Sequence, residues 1–190
     1  RRKAQGRDQC AQLLLPNRYL SHQEKERAFL TALRRKWKRE EIPDLRVLEV
    51  GCGYGDNLLQ FIRWGCAPEK LVGNELLEDR CAQARERLPQ GVRVLQGDAA
   101  ALDLPAESFD IVLQSTVFTS ILDDDFQRAL AKHMWSLTAP GGAVLWYDFA
   151  FNNPKNPDVR GVRRGRIREL FPHGEHRCQR ITLAPPLARM

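Results

Sequence analysis

Two rhythms of apolar and polar residues run along this chain. Phe29, Leu30, Leu33 and Trp37 recur at helical spacing, behind Ser21 and Glu24 placed as in a capping box. That pattern predicts a helix from about His22 to Arg39, with its apolar stripe on a sheet and its other face charged. Pro43 closes it. Beyond residue 45 the rhythm changes to short apolar runs, near 46–50, 71–75, 92–96, 111–114, 143–148 and 177–183. Helical patterns separate them, at about 56–64, 78–88, after Asp123, and 162–171. Asp123, Asp124 and Asp125 read as the N-terminal cap of the third of these, with Phe126, Leu130, Met134, Trp135 and Leu137 as its apolar face and His133 as structural. Strand alternating with helix predicts an α/β fold with a doubly wound, mostly parallel sheet. Pro140-Gly141-Gly142 reads as a tight turn before the fifth run.

The chemistry gathers where the first strand ends, in Val47-Leu48-Glu49-Val50-Gly51-Cys52-Gly53-Tyr54-Gly55-Asp56-Asn57. Three alternating glycines permit a tight turn and close backbone approach by a ligand. The helix that follows points its first amides over the turn. The dinucleotide pattern wants G-x-G-x-x-G, but here the third glycine comes one residue early and Asp56 stands in its place. Glu49, two residues before the first glycine, would reach the pocket mouth, where a negative charge suits a cationic ligand and repels a pyrophosphate. Glu75 ends the second strand about twenty residues on, where an acid meets ribose hydroxyls in doubly wound folds. Asp98 follows the third strand in a Gly-Asp turn.

These residues resemble the first motif, E/D-x-G-x-G-x-G, of the class I S-adenosylmethionine (SAM)-dependent methyltransferases, a Rossmann-like family. The resemblance covers about residues 45–150, including the Ser108-Phe109-Asp110 entry to the fourth strand, and is nearest to the small-molecule, type 11-like group. It implies SAM as cofactor and S-adenosylhomocysteine as product. Cofactor contacts would then fall to Glu49, Gly51, Cys52, Gly53 and Gly55, to Glu75 and Leu76 at the ribose, and to Asp98 and Ala99 at the adenine. Gln114 would complete the set, with Arg18 and Tyr19 from an N-terminal segment folded over the pocket. The family's sheet has an antiparallel seventh strand. None follows the sixth run here, and it is expected beyond Met190. The domain plan is 1–42 for the covering segment and 43–190 for the SAM-binding domain.

An acceptor should bind at the loop after the fifth strand, Phe149 to Gly161, where Tyr147, Asp148, Asn152, Asn153 and Arg160 are the polar candidates. Arg160, Arg163, Arg164, Arg166 and Arg168 would seat an anionic acceptor's charge. Relatives often carry a histidine near Thr119. This chain has none, which leaves Asp148 and His22 as candidate bases. No metal is expected, because Gln114 stands where metal-using relatives present an acid.

Composition narrows the remainder. The 190 residues carry a formal net charge of +6, which reads as a solvated basic surface more readily than as a nucleic-acid footprint. A nucleic-acid methyltransferase would carry an N/D-P-P-Y/F stretch after the fourth strand, and Gln114-Ser115-Thr116-Val117 does not supply it. Behind that class come a non-catalytic SAM-binding module and a nicotinamide dehydrogenase. Five cysteines without a C-x-x-C pair read as free thiols rather than a disulfide framework or zinc site. With no apolar run near the roughly 18 residues of a membrane span, and a polar start, the expectation is a cytoplasmic protein without a leader, acting on a small molecule.

Overall fold

Residues 14–154 and 156–181 are described by a computed structural model. Five of the apolar runs become strands: β1 (Val47–Val50), β2 (Leu71–Glu75), β3 (Arg93–Gln96), β4 (Phe109–Ser115) and β5 (Thr138–Tyr147). They hydrogen-bond in the order β3-β2-β1-β4-β5, and every pair is parallel. The chain winds outward from β1 to β3, then returns to β4 on the other side of β1. The carboxyl ends of β1 and β4 therefore flank the point where the strand order reverses, the usual ligand crevice of such sheets.

The helices are α1 (Pro16–Lys36), α2 (Asp56–Arg63), α3 (Glu78–Arg87), α4 (Asp124–Leu137) and α5 (Arg164–Leu170). Alternation along the strands assigns them to faces. Leu48, Val50, Val72 and Val112 pack in one cluster with Leu130, Ala131, Met134 and Leu137 of α4 and Leu170 of α5. Gly73 faces the opposite side, where an added Cβ would lie 2.9 Å from Leu58 Cδ1 on α2. β1 and β2 are buried along their whole length, as a sheet covered on both faces requires. Each fully buried Leu or Val contributes roughly 1.5–3 kcal/mol, so this apolar sandwich is the main source of stability. At the amino-terminal end of the sheet the Arg46 guanidinium grips Asp110 through two hydrogen bonds of 2.8 and 3.0 Å, and that pairing holds the Asp110 carboxyl below its ordinary range.

Chain contacts divide the protein into two compact units, residues 1–38 with 177–190, and residues 39–176. In the first, α1 begins at Pro16, five residues before the expected cap. Proline at the first helical position already has the required φ and gives up no amide bond. Ser21 therefore lies inside the helix, its hydroxyl donating to the Asn17 carbonyl at 2.9 Å. Phe29 and Leu33 are the buried residues of α1. The sixth strand is also corrected: residues 177–181 form no strand, while 182 and 183 lie outside the described residues, as does Cys10. Neither a sixth nor a seventh strand occurs among the described residues.

Two details differ in the second unit. Pro140-Gly141-Gly142 is not a turn before β5 but an irregularity within it, with the register slipping between Phe109↔Thr138 and Ile111↔Ala143. On α4 the buried stripe is Gln127, Leu130, Ala131, Met134 and Leu137, whereas Phe126 and Trp135 are exposed. Asp123 caps α4 as expected, its Oδ1 accepting the amides of Asp125 and Phe126 at 2.8 and 3.0 Å. Asp123→Ala should lower unfolding free energy by about 1 kcal/mol in urea titrations. Asp125→Ala, which removes only an exposed pair with Arg128, should cost less than about half of that.

Candidate active site

The turn after β1 places all three glycines at positive φ, +66° at Gly51, +59° at Gly53 and +82° at Gly55. Their surroundings separate their roles. A Cβ on Gly51 would come within 2.5 Å of Val117 Cγ2, and one on Gly55 within 2.8 Å of Leu88 Cδ1. Those two glycines admit close packing of neighbouring elements. A Cβ on Gly53 would meet nothing within 4 Å, so here the bare backbone borders open space that a ligand could fill.

The turn is stitched to β2. The Cys52 amide donates to the Asn74 carbonyl at 2.8 Å. The Gly53 amide donates to Glu75 Oε2 at 3.0 Å, and the other carboxylate oxygen accepts the Leu77 amide at 3.0 Å. Glu75 is thus fixed at the tip of β2, 5% exposed, with further lone pairs on both oxygens. Leu76 beside it is 64% exposed, an apolar surface next to a carboxylate. Asn74 donates to the Gly97 carbonyl at 2.9 Å, which ties the third tip to the second. Asp98 is exposed there and caps its own turn, accepting the Ala100 amide at 2.9 Å. Ala99 begins that turn and packs against the core.

Glu49 does not open onto a mouth. It is 1% exposed, and its Oε1 accepts a 2.5 Å hydrogen bond from the Asn57 side chain in the first turn of α2. Its negative charge therefore lies beneath the turn. Burial first, then the charges of Glu49 and Glu75, push the Cys52 thiol far above its ordinary range, so Cys52 is an uncharged filler and not a nucleophile.

A second polar group occupies the tips of β4 and β5. Gln114 is wholly buried and donates to Asp148 Oδ2 at 2.9 Å, while its carbonyl oxygen accepts the Val117 amide at 3.0 Å. Asp148 Oδ1 accepts the Thr119 amide at 3.2 Å. Gln127 was missed by the sequence reading; its amide donates to the carbonyls of Phe118 and Ile121 at 3.1 and 2.9 Å. The available signal was a glutamine on the apolar stripe of α4. Phe118, in the turn that Gln127 holds, packs at a tilt against Trp146 with ring centroids 4.3 Å apart.

The loop after β5 is braced from within. The Asn152 side chain accepts the Gly161 amide at 2.9 Å, and the Arg160 amide donates to the Thr119 carbonyl at 2.8 Å. Asn153 turns the loop by accepting the Asn156 amide on its carbonyl at 3.0 Å. Tyr147 packs edge-on to Phe149, with centroids 6.5 Å apart. A hollow of about 470 Å³ is lined by Arg160, Arg163 and Arg166 together with Asp124 and Glu169. Arg160 pairs there with Asp124, and Arg166 with Asp124 and Glu169, so part of the expected positive charge already has exposed acidic partners on the same chain. Arg18, Tyr19 and His22 sit on α1 in the other unit, with Arg18 and Tyr19 exposed.

A parallel sheet with a glycine turn at its reversal point and acids at adjoining strand tips defines a Rossmann-like domain built for a nucleoside-type ligand. The chain belongs to the methyltransferase domain family, whose sequence profile matches residues 47–142. It is 36% identical over 115 residues to phthiotriol/phenolphthiotriol dimycocerosates methyltransferase 1 of Mycobacterium ulcerans, covering 60% of this chain and 41% of that one. It is 28% identical over 112 residues to a tRNA N(3)-cytidine methyltransferase of Mus musculus, covering 55% and 28%. The glycopeptide N-methyltransferase MtfA complexed with sinefungin superposes with a TM-score of 0.51 at 25% identity, over 64% of this chain and 51% of that one. The chain spans 28–55% of the length of the first curated relatives it matches.

The glycines give a direct test. Gly51→Ala adds left-handed strain to a clash with Val117 and should cost about 2–5 kcal/mol in urea unfolding. Gly53→Ala, strained but unobstructed, should cost roughly 1–2 kcal/mol.

Proposed function

We propose that this chain binds SAM in the crevice over the glycine turn and transfers its methyl group to a small-molecule acceptor. The observation that carries the reading is the largely buried carboxylate of Glu75 at the tip of β2, held by the Gly53 and Leu77 amides beside an open glycine backbone and an exposed Leu76. A carboxylate so fixed suits two vicinal hydroxyls, since each of its oxygens can accept a further charge-assisted hydrogen bond. Leu76 would cover one face of the adenine, and Asp98 and Ala99 would border its edge. Gly51, Gly53 and Gly55 would let the methionine end lie against the backbone. Cys52 would line the turn, and the buried charge of Glu49 would favour a cation above it. These residues fit an adenosyl sulfonium, and a pyrophosphate would meet two carboxylates. When bound, the sulfonium supplies an already activated methyl group. The protein's task is then to orient the acceptor and exclude water.

Tyr147, Asn152, Asn153 and Arg160 are proposed as the walls of the acceptor side. The Mycobacterium relative by its name methylates phthiotriol compounds, and MtfA by its title methylates a glycopeptide, which supports an acceptor other than a nucleic acid. A nucleic-acid acceptor is the second reading, favoured by the +6 charge and the tRNA-modifying relative.

Isothermal titration should detect S-adenosylhomocysteine binding to the wild type and little binding of NADH. Glu75→Ala should weaken the former at least about tenfold, the scale of one charge-assisted pair. A wild type indifferent to S-adenosylhomocysteine contradicts the proposal.

A further inference from the structure

The hollow beside α4 and α5 collects charge that cofactor binding does not use. Arg160, Arg163 and Arg166 line it together with Asp124 and Glu169, around about 470 Å³. Three guanidinium groups against two carboxylates leave one positive charge in excess. The three arginines are held differently. Arg166 is the fixed one, its side chain 19% exposed. Its Nε donates to Gln127 Oε1 at 3.1 Å, its Nη2 to the Asp124 carbonyl at 3.0 Å and its Nη1 to Glu169 Oε2 at 3.2 Å. Arg160 bonds through Nη2 alone, to Asp124, so its Nε and Nη1 are uncommitted among the described residues. The Arg163 guanidinium is exposed and forms no hydrogen bond or ion pair among the described residues.

The same residues are tied to the loops at the carboxyl end of the sheet. The Arg160 amide donates to the Thr119 carbonyl, in the turn beyond β4, at 2.8 Å. Gln127, which accepts the Arg166 bond, donates in turn to the carbonyls of Phe118 and Ile121 on either side of Thr119. On the other flank the Gly161 amide donates to Asn152 and the Val162 amide to the Phe149 carbonyl, both within 2.9 Å. A Cβ on Gly161 would lie 2.5 Å from the Phe151 carbonyl carbon, so the two limbs of the loop meet through bare backbone. The loop that carries Arg160 therefore also carries the exposed rings of Phe149 and Phe151. An exposed pair such as Arg160–Asp124 contributes at most about 1 kcal/mol, so Arg160 can exchange Asp124 for a better partner. A phosphate or carboxylate is such a partner, because a guanidinium meets it with two parallel hydrogen bonds.

We infer that this hollow is an oxyanion subsite, which holds the phosphate or carboxylate group of a small anionic acceptor whose apolar body lies against Phe149 and Phe151. That the ligand is the methyl acceptor rests on the methyltransferase reading above; the anion binding itself does not. Arg166 supplies a fixed cation, and Arg160 and Arg163 supply the uncommitted donors that close on the anion. Asp124 and Glu169 set the selectivity. Their charges oppose a second anionic group, so the subsite suits one phosphate or carboxylate rather than the phosphate run of a polynucleotide. The Arg160–Thr119 and Arg166–Gln127 bonds make the occupied hollow a brace for the turn beyond β4, whose strand flanks the reversal point of the sheet.

The test titrates the full chain with phenyl phosphate, benzoate and benzyl alcohol at constant ionic strength, following the thermal unfolding midpoint. Phenyl phosphate or benzoate should stabilise the wild type saturably, and the one that acts at lower concentration names the oxyanion. Benzyl alcohol should not stabilise it. Arg163→Gln, which breaks no bond of the fold, should weaken the anion about tenfold, the scale of one charge-assisted hydrogen bond. Lys132→Gln makes the same charge change on the exposed face of α4 outside the hollow, and should weaken it less than about twofold. Affinity for S-adenosylhomocysteine should stay within about twofold in both variants. With labelled SAM and a cell extract split by anion exchange, label should enter the retained small molecules. There Arg163→Gln should raise KM and leave kcat within about threefold. Absence of saturable binding by either anion, or an equal loss in Lys132→Gln, overturns the subsite and leaves the methyltransferase reading intact. Label confined to neutral molecules or to polynucleotide overturns the assignment of the subsite to the acceptor. Saturable anion binding by a wild type indifferent to S-adenosylhomocysteine supports the subsite and overturns the methyltransferase reading instead.

Discussion

The crevice depends on the hydrogen bond from the Gly53 amide to the Glu75 carboxylate. It joins the turn after β1 to the tip of β2 across 3.0 Å, in parallel with the Cys52–Asn74 backbone bond of 2.8 Å. Only an amide freed from the helix ladder can donate there, and only a turn at positive φ aims it sideways. The same bond fixes the carboxylate beside the turn. Local backbone geometry thereby fixes the charge that a ligand would meet, and Gly51 and Gly55 keep the neighbouring elements close enough to hold it.

The opposite tips obey a similar logic with different partners. Gln114 is enclosed by the fold, yet both ends of its amide are used, one toward Asp148 and one toward the Val117 amide. Gln127 does the same work a layer below, bracing the carbonyls of the turn that offers the Thr119 amide. Buried amides of this kind specify one arrangement because an unmade bond would be expensive. Arg160 pairs with Asp124, and Arg166 with Asp124 and Glu169 while its Nε donates to Gln127. Among the described residues no ion pair involves Asp148, which is held by dipoles.

Much of this was legible in the sequence where local and global signals agree. Leu71-Val72-Gly73-Asn74-Glu75 is apolar, short and ended by a carboxylate, and it is β2 residue for residue. The glycine turn, α2, α3 and the Asp123 cap were readable on the same grounds. The start of α1 was not, because Ser21 and Glu24 mimic a cap that Pro16 makes unnecessary. The burial of Glu49 depends on Asn57 eight residues away, and strand alternation alone does not reveal it. The pairing of Arg160 with Asp124 spans 36 residues, beyond any periodicity. Residues 177–181 hold only Cys178 and Ile181 as apolar positions, without strand alternation, and form no strand.

The most direct measurement is a crystal structure of the chain grown with S-adenosylhomocysteine. The account predicts the ribose hydroxyls on the Glu75 carboxylate, the chain of the thioether across Gly53, and the sulfur on the side of the turn that faces Gln114. A ligand seated elsewhere, or a Glu75 carboxylate still bonded only to Gly53 and Leu77 with the crevice filled by protein, would contradict it.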